Sequence, residues 1–466
     1  MRINKIGIMV GLVALLFCSC RERELLSQRM VESEMRRCPT AADLDGMNGR
    51  LKWNYTTGLE LLAFLDAADN YGFGKKATAK GKGPGGDPQG ADHPGIASPK
   101  SDAPAAADEG PGGDPQGADH PGIASPKSDA PAAADEGPGG DPQEIYAYVD
   151  AWYDAIIRED GSVGANYRRA NYNLDHICPA RTLFKLYDIT GRQKYRAALD
   201  SIYLQVQRQP RTEAGPFWHK AVYPHQVWLD GFYMAEPFYA QYSATCLNST
   251  HEKYVNFDDI ADQFRVAWSK CYDYSTGLLR HAWDEDGGMF WSDPYTGQSA
   301  HSWGRAMGWY TMALVDVLDF MPEDHPARKD LLGMLRTILE TLPRYADKKT
   351  GMWYQVLDCP GREGNYIEST CSSMFTYAYL KAATRQWIPR EWLSFARKSY
   401  KNLVRAFIRE DSDGTISLTQ CCAVAGLGGK EHRSGDYDYY INEKITENDP
   451  KGVGPFIWAS IIYEQL

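Results

Sequence analysis

The feature that most limits what this chain can become is an alternation between two kinds of helix. Six stretches, 54–70, 173–187, 225–243, 303–320, 368–383 and 454–464, are apolar around most of their circumference and open on an aromatic or polar motif. Helices of that composition are buried on all sides. Between them lie more charged stretches, 23–37, 144–158, 193–207, 255–271, 327–345 and 389–408, each with one apolar and one solvated face. Short turns recur around Gly161, Gly215, Gly277, Gly351 and Gly414, most with an acidic or hydroxyl residue beside the glycine. Glycine supplies the positive φ that such turns need, and Asp, Ser and Thr supply local hydrogen bonds. Six buried helices alternating with six amphipathic ones predict an all-α fold, an (α/α)6 toroid of six helical hairpins. The inner helices' N-termini then share one rim, covered by the loops that follow the outer helices.

One segment breaks this rhythm. GPGGDPQGADHPGIASPKSDAPAAADE runs over 83–109, recurs unchanged over 110–136 and begins again at Gly137. It holds too little apolar surface to offset its ordering entropy, which predicts a disordered insertion at about 76–142. Its Asp and Gly lack the regular ligand spacing of a calcium site. Because it follows the first inner helix, it is expected at the rim away from the chemistry. A single catalytic domain, 21–466, is therefore expected with this interruption.

The first residues read as a targeting segment. Arg2 and Lys5 precede an apolar run, 6–17, too short for a permanent bilayer span. Phe17-Cys18-Ser19-Cys20 is similar to a bacterial lipobox, although Phe17 departs from the usual Leu. Residues 1–20 are thus expected to be a lipoprotein-type signal with Cys20 lipidated; the alternative is a plain cleaved signal. Either predicts export to the periplasm or a membrane-anchored lipoprotein. The eight cysteines beyond it form no Cys-x-x-Cys ladder, so zinc is not indicated and most should be buried small hydrophobes. Disulfide pairing stays open.

A net charge of −11 without a Lys/Arg run argues against nucleic acid as a partner. An anionic substrate would have to be drawn by a few local cations. Aromatic residues make 12% of the chain, which suits either a bulky core or the stacking of sugar rings.

On the toroid the shared rim collects KWNYTTG, NYNLDHI, FWHK with HQVWLDGFYM, RHAWD, WGRAMGW and YIESTCSS. Asp175 and Asp230 fall in the first turns of neighbouring inner helices. Either alone could simply complement a helix dipole. Two facing one cavity form an acid/base pair, in which the less solvated carboxyl keeps its proton. Asp230, set among Trp228, Leu229, Phe232 and Met234, is the candidate acid; Asp175, beside His176, is the charged neighbour. His219, His281 and Arg305 are candidate cations, Arg305 as a bidentate carboxylate clamp. Tyr55, Trp53, Trp228, Trp303 and Trp309 are candidate stacking platforms. His219 and His225 lack metal-ligand spacing, and no metal or cofactor is expected.

At these residues the chain resembles glycoside hydrolase family 105, the unsaturated rhamnogalacturonyl hydrolases. The matching stretches include KWNYTTGLEL, NYNLDHICPAR, GPFWHKAVYPHQVWLDGFYMAEPF, SAHSWGRAMGWYTMALVD and GNYIESTCSSMF. The resemblance implies an (α/α)6 barrel and a substrate that is an unsaturated pectic oligosaccharide. It implies that Asp230 protonates C4 of the 4,5-unsaturated uronyl residue, with Asp175 supporting it. Tyr55, His219, Trp228, Met234, His281, Trp303, Arg305 and Trp309 would surround the substrate. A monomer, held to a membrane only by its lipid, is expected. The alternatives are a lyase or conventional glycosidase on the same toroid, or a non-catalytic glycan-binding lipoprotein.

Overall fold

The computed structural model describes residues 25–70 and 141–466. The signal segment, Cys20 and the tandem repeat lie outside the described residues.

Thirteen α-helices are described. The inner ring is α2 (Tyr55–Asn70), α4 (Arg181–Thr190), α6 (Leu229–Cys246), α8 (Gly304–Val317), α10 (Ser369–Thr384) and α13 (Pro450–Glu464). The outer ring is α1 (Leu26–Arg37), α3 (Pro142–Ile156), α5 (Gln193–Arg208), α7 (Thr250–Cys271), α9 (Arg328–Thr341) and α11 (Trp392–Phe407); a short α12 spans Tyr437–Asn442. Each outer helix packs on an inner one, and α13 closes the circle by lying against both α10 and α2. This is the (α/α)6 toroid that the helix alternation predicts. Every residue of α8 is buried, whereas in α11 only Ala396, Ser399, Tyr400, Leu403 and Phe407 are. The expected glycine turns are present, with positive φ at Gly161, Gly215, Gly277, Gly351 and Gly414.

A charged knot ties the inner helices together. The Asp316 carboxylate on α8 accepts hydrogen bonds from Arg181 (2.9 Å), Lys381 (2.7 Å) and the Tyr377 hydroxyl (2.7 Å). Arg181 also donates to the Tyr233 hydroxyl at 2.8 Å, so α4, α6, α8 and α10 all contribute. Burial pushes the Asp316 carboxyl up, but Lys381 and Arg181 outweigh it and hold it at about 2.

Two inner helices begin well after their expected starts. Residues 173–180 form two 3-10 turns, Leu174–His176 and Cys178–Ala180, before α4 begins. Asn173 caps the first turn by accepting from the Asp175 amide at 3.0 Å, and Pro179 has no amide hydrogen to give. At the second, His225 takes a left-handed φ of 61°, and Gln226–Trp228 become a strand paired antiparallel with Ala282–Asp284. The pairing aligns Trp228 with Ala282, so His281 arrives beside the first turn of α6; its carbonyl accepts from the Leu229 amide at 3.0 Å.

The eight described cysteines are all free thiols, five of them buried. No described helix is long and apolar enough to cross a membrane.

Candidate active site

Where the inner N-termini converge, a cavity of about 110 Å³ is lined by Tyr55, Asp175, His219, Lys220, Tyr223, Trp228, Asp230, Met234, Arg433 and the segment 424–426. It adjoins a second hollow of about 420 Å³ that shares Tyr55, Asp175, Lys220 and Val424. Both expected carboxylates therefore face one space.

Asp230 sits in the first turn of α6, where the unpaired amides favour negative charge. Its Oδ2 lies 3.1 Å from Nε2 of His281, which is wholly buried. The pair is close without being a well-aligned hydrogen bond, since neither atom has a partner of good geometry. Nδ1 of His281 is 2.7 Å from the Tyr440 hydroxyl. Burial raises that phenol well above its ordinary range, so it keeps its proton. The hydroxyl has no other acceptor among the described residues. A hydroxyl that donates to Nδ1 selects the tautomer with the ring hydrogen on Nε2, facing Asp230.

Asp175 is anchored differently. Lys220 Nζ lies 2.6 Å from its Oδ2, and His219 Nε2 lies 3.6 Å from its Oδ1. Burial pushes the Asp175 carboxyl up, yet Lys220 and His219 together hold it below the usual carboxylate range. Asp175 is thus held ionised in the site. Burial drives His219 down to about 4, so its imidazole is neutral near pH 7. Gly231 lets this ring approach α6: a Cβ there would stand 3.1 Å from His219 Nδ1 and 2.9 Å from Leu174.

Several expected roles need correction. Trp53, Trp303 and Trp309 are at most 1% exposed and cannot offer a ring face to a sugar. Trp303 instead donates to Gln355 and stacks on Tyr440, while Trp309 stacks on Tyr233. Trp228 borders the cavity, but it is stacked with His219 (4.7 Å) and Tyr223 (5.3 Å). Of the expected platforms, Tyr55 remains the partly open one. Arg305 does not line the cavity; it is buried, donates to the Cys422 carbonyl and packs 4.6 Å from the Trp303 ring. It braces the loop that roofs the site instead of clamping a carboxylate. His281 lies behind Asp230, not in the cavity lining. Phe232 turns away toward Phe264 and Tyr310 in the core.

Sequence reasoning missed Lys220 and Arg433, the two cations in the lining. His301, Asp358 and Cys359 bring ligand atoms together elsewhere. There Asp358 is already committed to Arg280 and to the Ser302 amide, which leaves little for a metal.

A solved structure of a family 105 glycoside hydrolase from C. acetobutylicum superposes with a TM-score of 0.73 at 34% sequence identity, covering 94% of this chain and 99% of that one. The chain belongs to glycoside hydrolase family 105. It is a glycoside hydrolase. The profile of Glycosyl Hydrolase Family 88 matches residues 140–466, so that profile includes this family 105 chain. Protein Atu3128 of Agrobacterium fabrum is 38% identical over 208 residues, 43% of this chain and 88% of that protein. A possible family 105 member from Salmonella enterica serovar Paratyphi A shares the fold, with a TM-score of 0.57 at 22% identity over 69% of this chain and 78% of that one. Family 105 membership accords with the toroid.

Proposed function

We propose that this hydrolase removes the terminal 4,5-unsaturated uronyl residue from lyase-generated pectic oligosaccharides of rhamnogalacturonan type. One observation carries the reading: Asp230 and Asp175 share a small cavity, one 3.1 Å from the buried His281 imidazole and the other paired with a lysine. Such a site has a proton donor and a fixed negative charge side by side, which hydration of a vinyl ether requires.

In this reading Asp230 delivers its proton to C4 through Oδ1, while His281 Nε2–H steadies Oδ2. Positive charge develops at C5 and the ring oxygen, where the anionic Asp175 stabilises it. Water adds at C5 and returns a proton to Asp230. The resulting hemiketal opens to a ketone, and the hemiacetal left at C1 collapses to release the next sugar. No metal or cofactor enters these steps. Tyr55 and Met234 shape the walls around the sugar. Export, lipidation of Cys20 and a monomeric state belong to the same proposal and rest on the sequence.

The test is to incubate the protein with lyase-digested rhamnogalacturonan and follow ultraviolet absorbance. Hydration destroys the conjugated double bond, so absorbance should fall. A rise would indicate a lyase, and a flat trace over unsaturated pectic fragments would sink the reading.

A further inference from the structure

The cations of the cavity divide sharply by what they already hold. Lys220 is committed to Asp175 at 2.6 Å. Arg433 is held by backbone: Nε donates to the Gly428 carbonyl at 3.0 Å, and Nη2 reaches the Leu427 carbonyl and the Tyr223 hydroxyl, both at 3.4 Å. Its nearest carboxylate, the exposed Glu431, stands 4.0 Å from Nε. Nη1 has no protein partner among the described residues.

The loop around this guanidinium is shaped to admit it. A bridge between Gly428 and Arg433 ties the loop into a tight reversal. A Cβ on Gly426 would lie 2.7 Å from Nη1, and one on Gly429 would lie 2.9 Å from Nη2. Gly429 also sits at a φ of +73°. Two glycines thus leave the space that the guanidinium fills. Gly426 and Arg433 are both in the lining that contains Asp230 and Asp175.

We propose that Arg433, cradled by Gly426 and Gly429, is the specificity residue that grips the C6 carboxylate of the uronyl residue through Nη1. The proposal rests on the hydrolase reading and adds to it the group that demands an acid sugar. A guanidinium with backbone-fixed orientation loses little freedom on binding and presents a charge-assisted donor to a planar carboxylate. A site built around such a contact rejects an analogue that cannot satisfy it.

The experiment compares an unsaturated uronyl disaccharide with its C6 methyl ester on the parent protein, Arg433→Met and Gly426→Ala. The parent should prefer the acid by about 100-fold in kcat/KM, which is about 2.7 kcal/mol of discrimination. Arg433→Met should lose most of that preference, through a higher KM for the acid and little change on the ester. Gly426→Ala keeps the charge but displaces Nη1, and should lose a part of the same preference. Equal preference for the acid in Arg433→Met and the parent would overturn the proposal, as would a folded Gly426→Ala protein with unchanged KM. Calorimetric binding of the disaccharide acid to the same proteins separates the two ideas. No turnover by the parent, with acid binding that weakens in Arg433→Met, would remove the hydrolase reading and support the arginine contact. Acid binding of equal strength in both proteins would remove the arginine contact alone.

Discussion

The hydroxyl of Tyr440 stands 2.7 Å from Nδ1 of His281, on the side of the ring away from Asp230. The contact fixes which nitrogen carries hydrogen, and so what Asp230 meets at Oδ2. Tyr440→Phe should keep the ring stacking with Trp303 while releasing the imidazole to either tautomer. We expect kcat to fall about tenfold, the worth of one hydrogen bond of ~1.4 kcal/mol, with KM nearly constant. Steady-state kinetics on unsaturated disaccharide would check this, and an unchanged kcat would reduce the contact to packing.

Asp230→Asn removes the proposed proton donor without altering shape. Turnover should drop by about 10²–10⁴-fold while the substrate still binds. Activity close to the parent's would assign the proton to another group.

Lys220→Met should move the acid limb of the pH profile upward. In the parent, burial raises the Asp175 carboxyl but Lys220, with His219, holds it below the ordinary range, so it stays ionised into acid solution. Without the lysine the carboxyl rises, and activity that depends on ionised Asp175 disappears earlier as pH falls. Superimposable acid limbs for the two proteins would contradict this role.

Asp316 should matter for stability and not for chemistry. Asp316→Asn leaves Arg181 buried without its anion and Lys381 with Asp319 alone, at a cost of about 3–5 kcal/mol. Thermal melting would read the loss. The native carboxyl sits at about 2, below its unfolded value. Its stabilisation of about 2 kcal/mol is therefore complete above pH ~4 and drains away as pH falls toward 2. A variant whose melting temperature matches the parent's at neutral pH would disprove the knot's importance.

Much of this architecture was legible because helix burial is written locally. Apolar residues on every side of 303–320 or 454–464 leave a helix few places except an inner ring. Asp175 and Asp230 could be read because one leads into such a helix and the other opens one, each beside aromatic motifs. What stayed hidden depends on partners far along the chain. Arg305 next to two tryptophans looks like a carboxylate clamp until Cys422, over a hundred residues later, brings its carbonyl to it. The strand at Gln226–Trp228 exists only because Ala282–Asp284 lies alongside. Lys220 carried a signal in its adjacency to His219. Arg433 carried one in the glycines around it, AGLGGKEHRSG, which make sense only once the guanidinium is in place.

The seam between α13 and its neighbours sets a schedule for making the protein. The inner circle is completed by the helix synthesised after the other five, and that helix also meets α1, where the Ser27 amide donates to Glu464 at 3.0 Å. Until it emerges from the ribosome, the apolar flanks of α2 and α10 have nothing to cover them. Nascent chains should therefore be sticky and protease-sensitive until α13 is made, and a stop codon ahead of Pro450 should yield aggregate in place of a smaller ring.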